Sequence, residues 1–64
     1  MTDADQIRHA RERLRLAKAS FAWAAKLALA DAPNAVEQVS QALKEIDQAR
    51  GELRLAEQNA RAAA

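Results

Sequence analysis

Leu29-Ala30-Asp31-Ala32-Pro33-Asn34-Ala35 holds the only turn signal of a 64-residue chain, and it separates two helical stretches of nearly equal length. Pro33 has no N–H to offer a helix, and it pushes Ala32 out of the helical region. Asn34, with Glu37 three residues on, suits the start of a second helix. Upstream, no Gly or Pro interrupts the run from Ala4 to Ala30, which is rich in Ala, Leu, Arg and Lys, all strong helix formers. Thr2 and Asp5 have capping-box spacing at its start, and Asp3 and Asp5 put negative charge where the helix dipole favours it. Downstream, Gly51 is an internal weak point worth about 1 kcal/mol relative to Ala. The pattern predicts one domain, with helix 1 over about 4–30, a turn at 31–33, helix 2 over about 34–61 and a fraying 62–64.

Both stretches carry an apolar stripe. With Ile7, Leu14, Phe21 and Ala28 at heptad position a, Ala10, Ala17 and Ala24 fall at d. In the second half Val36, Val39, Leu43, Ile46, Leu53 and Ala60 recur at three-and-four spacing. Folding the chain at Ala32-Pro33 brings residue i close to residue 64 − i, so large mostly faces small. Ala24 meets Val39, Ala17 meets Ile46, Leu14 meets Ala49, Ala10 meets Leu53 and Ile7 meets Ala56. Only Phe21 and Leu43 set two bulky groups opposite one another. Such alternation lets helices interdigitate, and a short connection makes them antiparallel. A three-residue step from Ile46 to Ala49 shifts the stripe and leaves Arg50 and Glu57 flanking the seam. The expected fold is an all-α antiparallel two-helix hairpin, paired into a homodimeric four-helix bundle.

Size and composition favour that pairing. A core this small supplies about 3–5 kcal/mol unaided, so small folds recruit metals, disulfides or partners. The chain has no Cys and a single His, His9, which removes disulfides and thiolate or His-cluster metal sites. No cofactor is expected. Asp3, Asp5 and Arg8 break up any leader-like apolar run, and Lys26 interrupts the longest apolar stretch, 21–30, so a membrane span is not expected and a cytoplasmic location is. The net charge of +1 hides a lengthwise dipole. Eight basic groups and five acids at the open end give +3, and Lys26 and Lys44 with Asp31, Glu37, Glu45 and Asp47 at the turn end give −2.

Beyond the seam, one broad side offers Leu16, Ser20, Trp23 and Leu27 from helix 1 beside Ala35, Ala42, Ala49, Ala56 and Ala63, an alanine every seven residues of helix 2. A lone hairpin would leave Trp23, Leu16 and Leu27 in water beside a smooth alanine groove. Exposed patches of this kind mark interaction sites, and Trp is a frequent interface anchor. The expected protein interface is therefore Leu16, Ser20, Trp23, Leu27, Ala42 and Ala49. A second hairpin can fill it, since twofold dimers are the commonest assembly, and so can a different, larger protein.

The other side carries Arg8, Arg11, Arg15 and Lys18 at three-and-four spacing, with Lys44, Asp47, Arg54 and Arg61. These groups could contact an acidic partner or a phosphate backbone, or simply solvate the face while their stems cover apolar surface. Against nucleic acid stand the near-neutral total charge, the scarcity of aromatics for base stacking and the lack of a reading motif. His9 sits among Arg8, Arg11 and Arg13 as a solvated residue, because proton transfer needs a pocket and a carboxylate partner. Glu12, Glu52 and Glu57 are expected as surface partners of Arg15, Arg50, Arg54 or Arg61. No Glu-x-x-His pair is present, so a di-iron bundle site is excluded.

In length and topology a hairpin that dimerises into a four-helix bundle resembles the RNA-modulator proteins of plasmids; no residue pattern is shared, so no functional residue carries over. Leu53-x-x-Ala-Glu-Gln58 is also similar to the end of exonuclease VII small subunits, whose remaining pattern this chain lacks. The expected role is a small non-enzymatic interaction protein of phage or plasmid type. It would regulate or inhibit a larger protein by stoichiometric docking, without a small-molecule substrate. The alternative is an RNA- or DNA-binding dimer that uses the basic outer face.

Overall fold

Helix α1 (Asp3–Leu29) begins at a capping box. The Thr2 hydroxyl accepts from the Asp5 backbone N–H at 3.2 Å, and the Asp5 carboxylate accepts from the Thr2 N–H at 3.5 Å. Two of the orphan donors of the first turn are thereby satisfied. The computed structural model describes residues 2–63. Expectations for the Ala63 side chain in the alanine row and for Ala64 in the tail lie outside the described residues.

At its far end α1 closes in a Schellman motif. The Ala32 N–H bonds the Leu27 carbonyl at 3.0 Å and the Asp31 N–H bonds that of Ala28 at 3.1 Å. This motif needs a left-handed residue just past the cap, and Asp31 supplies it at φ 56°. Asp is among the few non-glycine residues that tolerate that region. The chain then passes Ala32 and Pro33 to Asn34, which is left-handed too, at φ 62°. A side-chain N-cap requires extended backbone, so the capping expected of Asn34 does not form there. Instead the Asn34 carbonyl starts the next helix by accepting from the Gln38 N–H at 3.1 Å. Helix α2 runs Ala35–Ala63, past the expected end near 61, because alanine, the strongest helix former, continues it through the stretch expected to fray. The connection is thus 30–34, longer than the expected 31–33, because the Schellman closure uses Ala30 and Asp31.

The two helices pack antiparallel as an all-helical hairpin. They form a rod whose Cα atoms span 49 × 14 × 14 Å. The register lies close to the expected one. Ala17, Ile46 and Ala49 form a buried cluster with Leu14 and Phe21 against it, and Arg13 pairs with Glu52.

What meets at the centre of the seam differs from the expectation. The buried side chains are Ala10, Ala17 and Ala24 of α1 and Ala35, Ala42 and Ala49 of α2, with Ile46 the one larger member. Alanines at seven-residue intervals on both helices let the backbones approach closely. Close approach rotates each helix so that its larger residues leave the centre. Leu14, Phe21, Val39 and Leu53 are consequently only half-buried, and Leu43 and Val36, assigned to the seam by spacing, are 49% and 76% exposed.

Candidate interaction surfaces

The alanine seam gives the hairpin two unlike broad faces. On one face an open trough follows the seam along most of the rod. The residue preceding each seam alanine forms its outer wall, His9, Leu16 and Trp23 on α1 and Gln41, Gln48 and Leu55 on α2. The inner wall is polar, with Arg13, Ser20, Glu45 and Glu52 among its members. The segment of greatest volume, about 490 Å³, lies at the open end between His9, Arg13, Leu55 and Asn59.

Five of the six residues expected at a protein interface meet in this trough. Leu16, Ser20 and Ala49 line one segment, and Ser20, Trp23 and Ala42 line the next toward the turn. Leu27 is half-buried and lines neither segment. Trp23 is 64% exposed, and Leu16 and Leu55 are exposed along successive segments of the trough toward the open end.

One part of the expectation is corrected. Ala42 and Ala49 do not form an open stripe for a partner's indole; they are 4% and 5% exposed, held between the helices of their own hairpin. Only their edges reach the trough floor. The physical reason is size, since a methyl group is small enough to be enclosed by the opposite helix. Leu55, 58% exposed, is a further apolar member that spacing alone did not bring forward. Its position directly before Ala56, as Trp23 stands before Ala24, is the signal that identifies it.

The opposite face is not the uniformly charged surface expected from the row Arg8, Arg11, Arg15 and Lys18. All four are exposed. Between them and α2, however, runs the row of half-buried Ile7, Leu14 and Phe21, beside Val39, Leu43 and Leu53. These are the larger residues displaced from the seam by the alanines.

Part of the basic row is already neutralised. Arg15 donates through Nε to Glu12 at 3.0 Å, and Arg8 lies 3.7 Å from Asp5. The hydrogen bond from Arg15 holds the Glu12 carboxyl below the ordinary carboxylate range, and the same contact raises Arg15. Arg61 lies 3.9 Å from Glu57. Glu52 takes Arg13 on the facing helix rather than Arg50 or Arg54. Among the described residues no three His, Cys, Asp or Glu side chains gather as metal ligands, and no helix is long and apolar enough to cross a membrane.

Compared with protein-family models, curated proteins and solved structures, the chain matches none.

Proposed function

We propose that this chain is a small non-enzymatic protein–protein interaction module, a homodimeric four-helix bundle that regulates or inhibits a larger protein by stoichiometric docking. The observation that carries the docking is Trp23, an indole 64% exposed at the rim of a trough with Leu16 and Leu55. Leaving a side chain of that area in water forgoes burial worth about 1.5–3 kcal/mol for a large apolar group, which docking recovers. Only alanine edges reach the trough floor, so an incoming apolar group rests on the exposed Trp23 and Leu16, and the Gln and Glu walls offer hydrogen bonds that fix its orientation. Arg11 and Lys18, which make no ion pair among the described residues, are available to steer an acidic partner.

Capture from a host lysate with the wild type, followed by titration of the purified captured protein, tests this reading. Saturation at a fixed stoichiometry, lost in Trp23→Ala, is expected. Because Trp23 is mostly in water, that variant should keep its stability within about 0.5 kcal/mol. Equal binding by wild type, Trp23→Ala and Leu16→Ala would remove the trough from the account. The nucleic-acid alternative would gain instead if the double variant Arg11→Ala with Lys18→Ala lost RNA affinity that fell steeply with salt.

A further inference from the structure

We propose that the face opposite the trough, carrying Ile7, Leu14, Phe21, Val39, Leu43 and Leu53, is covered by a second copy of this chain turned end for end. This deepens the dimer half of the proposed function and leaves its Trp23 half independent.

Three observations select this face and this occupant. The first is burial: apart from Ile46, every buried side chain among the described residues is an alanine, and the half-buried Ile7, Leu14, Phe21, Val39 and Leu53 share this one face with the exposed Leu43. A helix pair ordinarily places such residues inside. The second is area. A face 49 Å long and 14 Å wide presents roughly 700 Å² in projection, close to the ~800 Å² per partner that stable protein interfaces bury. The trough is the more polar seat, with Gln38, Gln41, Glu45, Gln48 and Glu52 along its wall, whereas on α2 the chosen face interposes Arg50 and Glu57 among its apolar groups.

The third is charge. The open end of the hairpin carries +3 and the turn end −2. Two copies aligned the same way set like ends together, whereas end-for-end packing lays each open end beside the other's turn. A second copy carries the complementary charge by construction, and twofold symmetry closes the assembly. The two trough faces then lie outward on opposite sides of a four-helix bundle, each with its Trp23.

Sedimentation of the full chain and of single variants tests the face. Wild type is expected at twice the chain mass, Trp23→Ala likewise, and Leu43→Glu with at least about 100-fold weaker association. A helical wild type that sediments as a monomer overturns the proposal, as does dissociation by Trp23→Ala with Leu43→Glu still dimeric. Neither result bears on whether Trp23 docks a larger protein, which the Trp23→Ala titration reads separately. Should Leu43→Glu unfold on dissociating, the wild-type melting temperature decides: a rise with protein concentration supports the dimer, and a constant value overturns it.

Orientation is read by disulfide trapping, made simple by the absence of Cys. End-for-end packing places Lys18, near mid-length, beside its own copy, so Lys18→Cys should cross-link readily. Val36→Cys, close to the turn, should not. Self-cross-linking of Val36→Cys as fast as that of Lys18→Cys overturns the end-for-end arrangement.

Discussion

Arg13 and Glu52 meet across the trough with Nη1 2.6 Å from Oε2, the one ion pair among the described residues that joins α1 to α2. Both side chains remain largely in water, 67% and 46% exposed, so the pair contributes little energy despite its short distance. A double-mutant cycle with Arg13→Ala and Glu52→Ala is expected to give a coupling of about 0.5 kcal/mol, falling as salt is added. A coupling several times larger and insensitive to salt would show a drier pair.

The alanine seam makes a sharper prediction. Ala17 is 5% exposed and packs against Ile46 and Ala49, so Ala17→Leu has no room without separating the helices. Its expected cost is about 1–3 kcal/mol by urea unfolding. Ala19→Leu, on the exposed side of the same helix, should change stability by less than about 0.5 kcal/mol. Equal effects at the two positions would contradict close packing through alanine.

Gly51 sits within α2 with nothing inside 4 Å of the place a Cβ would occupy. Gly51→Ala removes the glycine penalty without a clash and should raise the unfolding free energy by about 1 kcal/mol. Urea melts at matched protein concentration would show the shift.

Asp31 holds the left-handed position that closes the Schellman motif. Asp31→Gly is expected to stabilise the chain by about 0.5–1 kcal/mol, as glycine takes φ 56° without steric cost. Asp31→Val should destabilise it, because a β-branched side chain is strained there. Thermal melts of the pair, moving in opposite directions, check both expectations.

The two helices and their antiparallel pairing were legible in residue spacing, since Pro33 and the uninterrupted helix formers around it leave no other course for the backbone. Thr2 and Asp5 announced their capping box equally well, because that motif depends on two residues close in sequence. The centre of the seam was not legible in the same way. A heptad pattern marks Leu43, Val36 and the alanine row alike as apolar, and only the distance of closest approach decides which of them meet. Ala35, Ala42 and Ala49 met the alanines of α1, and Leu43 and Val36 were turned outward. The connection was obscured for a local reason: Asp31 and Asn34 adopt backbone angles usually signalled by glycine. In the candidate site, Trp23, Leu16 and Ser20 followed from spacing, whereas Leu55 became visible only once Ala56 was known to face the trough.

A ladder of identical rungs carries no address. Each alanine step along the rod resembles the one before it, so shifting one helix past the other by seven residues would again set methyl against methyl. Beyond the single larger seam residue Ile46 and the Arg13–Glu52 pair, what opposes the slip is the five-residue tether between Leu29 and Ala35, with its closed carbonyls and fixed torsions. Lengthening that tether by a flexible insert should turn a single alignment into a population of staggered ones, even though no residue of either helix has changed.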